Sequence, residues 1–169
     1  MSGSSIQRHK QGILLHIGCG ENPQAGFVGM DNRNFPKVDI VHDYEKFLWP
    51  IKTESVISIV TSHVIEHIKP WFMIKWMDEC WRVLKKEGRL AITMCYGYSD
   101  RFLQDPTHCN PRNELTWTYF DPKFPLYQIY KPKPWKIIAG PFYQMQGDME
   151  VLLEKANSKL HRGSRTAKA

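Results

Sequence analysis

The sequence predicts an α/β fold with a Rossmann-like, doubly wound and mostly parallel sheet, a C-terminal antiparallel hairpin and three α/β/α layers. Two observations lead to this prediction. Short apolar runs rich in β-branched residues alternate with longer stretches of helical periodicity, which is typical of a parallel sheet covered by helices. The length of 169 residues is that of one domain. We therefore expect a single α/β domain without internal repeats.

Seven strands are expected. The first five runs are short and apolar, as buried parallel strands are. The last two runs are joined by a turn-like segment and predict a closing hairpin at the edge of the sheet. The predicted strands cover residues 12–17, 27–30, 38–41, 56–61, 89–95, 135–140 and 150–153.

One long helix is predicted over residues 70–86. Pro70 suits the first turn of a helix, and Gly88 is placed to end it. Apolar side chains recur on one stripe, with charged residues away from it. The stripe consists of Met73, Met77, Cys80 and Leu84. Three tryptophans on the same helix, Trp71, Trp76 and Trp81, are interpreted as packing residues.

The chain divides into a central domain and two tails. We expect a flexible N-terminal tail at residues 1–10, a domain at residues 11–156 and a flexible basic tail at residues 157–169. Within the domain, residues 96–134 are rich in aromatic residues and proline and offer no long periodic element. Insertions of this length usually serve function. We interpret this one as a substrate-side insertion or lid, in which Asn113 caps a short helix that runs to Phe120.

Composition narrows the classes of partner. The net charge is +6, but seven basic residues lie in two terminal segments that contain no acid, so the interior is close to neutral. Nucleic-acid binding is thus possible but not favoured. No apolar run is long enough to span a bilayer, and the four cysteines lack C-x-x-C spacing. We expect a soluble cytoplasmic protein without a membrane partner, and the oligomeric state stays open.

A possible metal motif occurs at His63, Glu66 and His67, which form the string H-x-x-E-H of inverted zincins. That motif requires an established helix, whereas His63 directly follows a strand-like run. We therefore predict no metal at this string.

Polar residues follow three of the predicted strands at their carboxyl ends. The turn Gly18-Cys19-Gly20 follows the first strand, and its glycines let the backbone approach a ligand. Asp31 follows the second strand and Asp43 the third, in the positions of acceptors for ribose hydroxyls and an adenine amino group. Ser62 and His63 follow the fourth. These residues together predict an adenosine site, although each aspartate alone is equally typical of a turn cap.

The spacing within this site selects among adenosine ligands. A dinucleotide fingerprint places its acidic residue about 20 positions after the glycines, across a helix that holds the pyrophosphate. Here only 11 positions separate Gly20 from Asp31, which is too short for that helix. The spacing disfavours a nicotinamide-dependent oxidoreductase and favours a ligand without phosphate. A noncatalytic adenosyl- or nucleotide-binding module remains the alternative to an enzyme.

The same residues resemble class I S-adenosylmethionine-dependent methyltransferases, and most closely the small type 11 methyltransferase domains. The resemblance covers roughly residues 12–155. It is carried by the phrases Leu15-His16-Ile17-Gly18-Cys19-Gly20, Gly29-Met30-Asp31, Ile40-Val41-His42-Asp43, Thr61-Ser62-His63-Val64-Ile65-Glu66-His67-Ile68 and the turn from Leu84 to Leu90.

The resemblance implies a methyltransferase that uses S-adenosylmethionine and releases S-adenosylhomocysteine. It also implies a role for each matching residue: Gly18 and Gly20 near the methionine part, Asp31 and Asn32 near the ribose, Asp43 near adenine, Ser62 and His63 near the methionine and sulfonium, and His67 as a structural residue. The sequence lacks the family's usual helix between the first two strands. Asn22 is the candidate donor to the methionine carboxylate.

The acceptor side is expected in the insertion. The phrase Asp105-Pro106-Thr107-His108 resembles one in the acceptor region of related methyltransferases. By this resemblance His108 is a candidate general base that Asp105 orients, although a loop histidine also serves as a hydrogen-bonding residue and Asp105 as a turn former. Tyr96 and Trp117 either line a pocket for a ring-bearing or sugar-like acceptor or pack the insertion onto the sheet. A small-molecule or glycan acceptor is favoured.

Overall fold

The fold is built on one mixed sheet. The computed structural model describes residues 12–157, so both predicted tails lie essentially outside the described residues. Seven strands form the sheet in the order β3-β2-β1-β4-β5-β7-β6. They are β1 (Ile13–Ile17), β2 (Val28–Asp31), β3 (Ile40–Val41), β4 (Val56–Ser62), β5 (Leu84–Cys95), β6 (Trp135–Tyr143) and β7 (Asp148–Lys155).

Strand direction confirms the predicted mixture of parallel and antiparallel pairing. The first five strands are parallel, with β1 between β2 and β4. The last two form an antiparallel hairpin in which β7 pairs with β5 and β6 forms the edge. The strand order reverses between β1 and β4, because the chain moves outward from β1 to β3 and then returns. Ligands of open α/β sheets bind at the carboxyl ends of strands beside such a switch point.

The predicted long helix is shorter in the structure, and its predicted end was wrong. A 3-10 turn covers Pro70–Phe72, and helix α1 covers Met73–Val83. Leu84 is already extended and pairs with Val56, whereas Ser58 pairs with Arg89. Residues 85–88 therefore form a bulge in β5 rather than a last helical turn. A Cβ on Gly88 would lie 2.9 Å from the carbonyl oxygen of Lys85, so glycine is required here by close backbone packing.

The connections from β1 to β2 and from β2 to β3 contain no helix. Residues 18–27 join the parallel neighbours β1 and β2, and residues 32–39 join β2 and β3, both as loops and turns. Within residues 12–157, α1 is the one helix longer than two turns. This confirms the compact first loop that the sequence predicts.

The insertion is an ordered segment of short elements. Helix α2 covers Asp100–Leu103, a 3-10 helix covers Glu114–Tyr119 and helix α3 covers Tyr127–Tyr130. Asn113 caps the 3-10 helix as predicted, since its side chain accepts a hydrogen bond from the backbone N–H of Leu115. Trp117 and Phe120 of the insertion are buried in the same core as the side chains of the sheet. The insertion is thus anchored to the sheet through its aromatic residues.

The turn after β1 generates a stability prediction. Gly18 has a φ of +68°, and a Cβ there would lie 2.2 Å from Cγ2 of Val64. Gly26 has a φ of +81° with nothing within 4 Å of the added atom. Gly26→Ala should lower the free energy of unfolding by about 1 kcal/mol through backbone strain alone. Gly18→Ala should cost roughly 1 to 3 kcal/mol more, because Val64 is buried and stiff.

Urea denaturation of the two variants and the wild type measures this difference. Equal losses of stability for Gly18→Ala and Gly26→Ala would contradict the close contact between the turn and Val64.

Candidate active site

A cleft opens at the carboxyl ends of β1, β2 and β4, where the strand order reverses. Its volume is about 450 Å³, a size that accommodates a small-molecule ligand. Eight residues line it: Gly18, Asp31, Asn32, Arg33, Tyr44, His63, Val64 and His67. Four of them, Gly18, Asp31, Asn32 and His63, are predicted cofactor residues, so the structure brings these four together.

The glycine turn is held against the neighbouring strand. The N–H of Gly18 donates to the carbonyl oxygen of Met30 at 2.8 Å, and the N–H of Gly20 donates to Oδ2 of Asp31 at 2.8 Å. Because Gly18 lacks a side chain, its backbone passes directly beside Val64 at the start of the segment after β4. The turn therefore forms the floor of the cleft and is fixed by Asp31.

Asp31 has a structural role that goes beyond the turn-cap alternative considered in the sequence. Its side chain is nearly buried and lies under the cleft. Oδ2 accepts from Gly20, while Oδ1 accepts from the backbone N–H of Arg33 at 2.9 Å and from its Nε at 3.3 Å. One carboxylate thus ties the ends of β1 and β2 together.

The compact loop folds back over the sheet. A Cβ on Gly29 would lie 2.8 Å from Sγ of Cys19 and 3.0 Å from Cβ of Pro23, which shows how closely the loop covers β2. The backbone N–H of Gln24 donates to Nδ1 of His16 at 3.1 Å. Asn22 is exposed on this loop and does not line the cleft, so the structure does not bring this predicted donor to the other site residues.

Asp43 lies in a turn beyond the cleft wall. Its Oδ1 accepts from the backbone N–H of Glu45 at 3.0 Å, and its carbonyl oxygen accepts from the N–H of Lys46 at 2.8 Å. These bonds match the turn-cap alternative. The side chain is 42% exposed, so the carboxylate remains accessible to a ligand as well.

Arg33, Tyr44 and Val64 also line the cleft and were missed from the sequence, and His67, which was expected to be structural, lines it as well. Burial and the nearby Asp31 carboxylate raise the pKa of Tyr44 to about 12, so this side chain presents a neutral hydroxyl. Arg33 lies two residues after Asp31, the spacing of an aspartate turn, and Tyr44 directly follows Asp43. Their adjacency to predicted residues was the one signal in the sequence that pointed to them.

Ser62 is the last residue of β4 and His63 follows it, and their side chains have different environments. Ser62 is exposed and does not line the cleft, whereas His63 does. His63 has a φ of +54°, a left-handed conformation that is uncommon for a residue with a Cβ. Its Nδ1 contacts Oε1 of Glu66 at 3.1 Å, and its Nε2 lies 3.7 Å from Oδ2 of Asp148. The hydrogen bond to Glu66, reinforced by both nearby carboxylates, raises the pKa of His63 above its ordinary value.

Glu66 is the buried centre of this cluster. Its side chain has no exposed surface, and Oε1 accepts from the backbone N–H of Cys95 at 3.2 Å. Burial opposes its ionisation, but the hydrogen bonds from His63 and Cys95 outweigh it and hold the pKa of Glu66 below its usual value. The string H-x-x-E-H does not form one helix, because a 3-10 turn begins only at Ile65. Glu66 therefore meets Cys95 on β5.

The predicted base, His108, lies outside the cleft. Its side chain is 7% exposed, and Nδ1 donates to the carbonyl oxygen of Phe102 at 2.9 Å. Its ring also stacks edge-on against that of His67. Asp105 accepts from the backbone N–H and the hydroxyl of Thr107, as a turn former does. In this structure the phrase Asp105-Pro106-Thr107-His108 packs behind the cleft wall.

The two aromatic candidates for the acceptor side have different environments. Trp117 is completely buried in the core, so the expectation that it lines a pocket is corrected: it packs the insertion onto the sheet. Tyr96 directly follows β5, and its ring meets those of Tyr98 and Tyr143 at 5.5 and 5.0 Å between centroids. Tyr98 and Tyr143 are exposed. We call these three residues the tyrosine cluster.

Comparison with known proteins shows which domain and which structures the chain is similar to. Residues 19–92 match the type 11 family model, which is described as a methyltransferase domain. A structure of an S-adenosylmethionine-dependent methyltransferase from Archaeoglobus fulgidus superposes with a TM-score of 0.63 at 17% identity, covering 86% of this chain and 87% of that one. A structure of an S-adenosylmethionine-dependent methyltransferase from Mesorhizobium loti superposes with a TM-score of 0.59 at 10% identity, covering 86% of this chain and 93% of that one.

A third similar structure contains a putative methyltransferase in complex with the Trm112 methyltransferase activator of Haloferax volcanii. Its TM-score is 0.62 at 7% identity, with coverages of 89% and 85%. No curated protein matches the chain in sequence. The superpositions show that the chain has the fold of these S-adenosylmethionine-dependent methyltransferases, and residues 19–92 are similar to a methyltransferase domain.

Within residues 12–157, every helix is too short or too polar to cross a membrane. The cysteines are all free thiols, with Cys19, Cys80 and Cys95 buried and Cys109 exposed.

The bonds around Asp31 lead to a second stability prediction. Asp31→Ala leaves the backbone N–H groups of Gly20 and Arg33 without their acceptor, and should lower the free energy of unfolding by about 1 to 3 kcal/mol. Arg33→Ala keeps both backbone bonds and removes one exposed ion pair, which should cost under about 1 kcal/mol. Chemical denaturation of each variant provides the measurement. Equal destabilisation by both variants would show that the backbone bonds do not depend on the carboxylate.

Proposed function

We propose that the cleft at the ends of β1, β2 and β4 binds S-adenosylmethionine and that the chain transfers its methyl group to a small-molecule or glycan acceptor in the cytoplasm. One observation carries the cofactor site: the left-handed turn at Gly18 and the Asp31 carboxylate meet at a single cleft. The short connection supplies no helix N-terminus for a pyrophosphate, which supports an adenosyl ligand without phosphate.

The ribose position follows from the unused capacity of Asp31. A carboxylate oxygen accepts up to two hydrogen bonds. Oδ1 already has two donors from Arg33, whereas Oδ2 has one from Gly20. A ribose hydroxyl would complete Oδ2, with Asn32 beside it in the cleft wall.

The two ends of the cofactor follow from the ribose position. Adenine would lie toward Tyr44, whose ring forms one wall, with the accessible carboxylate of Asp43 as acceptor for the amino group. The methionine part would lie over Gly18 and Gly20 toward His63 and Ser62. Asn22 would reach the methionine carboxylate only if the side chain turned from solvent toward the glycine turn.

Methyl transfer requires alignment above all. In an in-line displacement the cationic sulfonium becomes neutral, so the protein contributes mainly by holding donor and acceptor in the attacking geometry. A base is needed only where the acceptor must lose a proton. His108, which Asp105 approaches to 3.8 Å, stays a prediction for that role.

The tyrosine cluster supports a ring-bearing or sugar-like acceptor. It follows the carboxyl end of β5 beside the cleft, since the N–H of Tyr96 donates to the carbonyl oxygen of Gly147, next to Asp148 near His63. Glu114 accepts hydrogen bonds from Tyr143 and Tyr96, which lowers the pKa of the carboxyl. Exposed aromatic rings beside a carboxylate provide both stacking faces and a hydroxyl acceptor.

Calorimetry tests the cofactor proposal. S-adenosylmethionine and S-adenosylhomocysteine should bind to the wild type, and NAD should not. Asp31→Ala should weaken S-adenosylmethionine binding by about 1.5 to 3 kcal/mol, since a charged hydrogen bond to the ribose is lost. Glu21→Ala, which removes an exposed acid from the same loop, should leave the dissociation constant unchanged. Tight NAD binding without adenosyl-ligand binding would refute the proposal.

Transfer of a labelled methyl group tests the acceptor class. Among oligosaccharides, small hydroxylated aromatics, RNA and peptides, label should enter the first two groups. With such an acceptor, Tyr98→Ala should lower kcat/KM by about tenfold, a loss of stacking worth about 1.4 kcal/mol, without changing S-adenosylmethionine affinity. Tyr130→Ala is the control, because this exposed tyrosine lines a separate pocket with Trp71. Label confined to RNA or peptides would contradict the proposal.

A further inference from the structure

The cluster beside the cleft contains three side chains of metal-ligand type. Nδ1 of His63, a carboxylate oxygen of Glu66 and Sγ of Cys95 all lie within 4.8 Å of one another. They come from different segments: the end of β4, the 3-10 turn after it and the end of β5. The protein thus gathers an imidazole, a carboxylate and a thiol at one point, although they are separated by up to 32 residues in the chain.

The separations are close to those of a tetrahedral zinc site. With Zn–N of about 2.0 to 2.1 Å and Zn–S of about 2.3 Å, neighbouring ligand atoms lie roughly 3.3 to 3.6 Å apart. Nδ1 of His63 lies 3.1 Å from Oε1 of Glu66 and 3.6 Å from Sγ of Cys95. The thiol sulfur and the carboxylate oxygen lie within 4.8 Å of each other.

Unsatisfied buried oxygens point to a missing ligand. Oε2 of Glu66 and Oδ1 of Asp148 are buried and have no hydrogen-bond partner among the described residues. A buried carboxylate oxygen without a partner is costly, because it has lost its hydration without compensation. A hydrogen bond between His63 and Glu66 satisfies Oε1 alone, whereas a cation between the three ligands would also stabilise the negative charge on Oε2.

We propose that His63, Glu66 and Cys95 form a site for a zinc-like divalent transition metal with its fourth coordination position open. The combination of thiolate, imidazole and carboxylate suits zinc and does not suit magnesium or calcium, which prefer oxygen ligands. Binding forms the metal–sulfur bond as the Cys95 thiol releases its proton to the buffer, and no oxidation or reduction is involved. His63 is 39% exposed and provides the access from solvent.

This site differs from the metal motif considered in the sequence. His67 would have been the third ligand there, but its Nδ1 hydrogen-bonds with the hydroxyl of Thr107 at 3.1 Å. In the proposed site Cys95, and not His67, is the third ligand. An open position next to the cleft would lower the pKa of an acceptor hydroxyl or thiol, a consequence that rests on the proposed methyl transfer, whereas metal binding itself does not.

Titration of metal-free protein with Zn²⁺ by calorimetry and with Co²⁺ by absorption spectroscopy tests the proposal. One equivalent of each metal should bind, and Co²⁺ should produce a thiolate-to-cobalt charge-transfer band. Cys95→Ser should remove the band and weaken Zn²⁺ binding by about tenfold or more. Cys109→Ser, which changes an exposed thiol outside the cluster, should alter neither. His63→Gln, at a half-exposed position, should weaken binding without endangering the fold.

Binding of less than one equivalent, or equal affinity in wild type, Cys95→Ser and His63→Gln, would overturn the metal site. Calorimetry with S-adenosylmethionine on the same metal-free protein separates the two proposals. Cofactor binding without metal binding overturns the metal site and leaves the proposed function standing. Metal binding without cofactor binding supports the site and contradicts the proposed function.

Discussion

The structure depends on one constraint, the short distance along the chain between the parallel neighbours β1 and β2. A parallel crossover usually takes a dozen or more residues and contains a helix, and here residues 18–27 make it as a loop. The loop begins with two glycines in the left-handed conformation, Gly18 and Gly20. Because Gly29 has no side chain, the loop can lie directly on β2. The Asp31 carboxylate at the end of β2 accepts a hydrogen bond from Gly20. Loss of the Asp31 carboxylate would leave Gly20 without its acceptor and weaken the link between the ends of β1 and β2.

The same constraint shapes the ligand site. Because there is no helix after the glycine turn, the dipole and free N–H groups that hold a pyrophosphate are absent from the connection. What remains in the cleft at the switch point is the backbone of Gly18, the Asp31 carboxylate and the side chains of Tyr44 and His63. We propose that the adenosyl part binds on the Asp31 side of this cleft and that the acceptor binds toward the tyrosine cluster.

Sequence patterns were sufficient for the sheet and for part of the site. Alternating apolar runs located every strand, and the turn-like segment around Gly147 predicted the terminal hairpin, because these features depend on local sequence. The end of α1 was wrong because pairing of Leu84 with Val56 overrides helical propensity there. The sequence left Trp117 open between a pocket and the core because aromatic residues suit both, and only tertiary packing distinguishes them. The meeting of Glu66 with Cys95 is likewise nonlocal, so no spacing pattern could show it.

The central claim is that the adenosyl ligand occupies the cleft over Gly18 and Asp31. A crystal structure of the protein with S-adenosylhomocysteine tests it most directly. The account predicts the ribose hydroxyls within hydrogen-bond distance of Oδ2 of Asp31, the adenine beside Tyr44 and the sulfur toward His63. A ligand bound elsewhere, or a ribose that makes no contact with Asp31, would contradict the account.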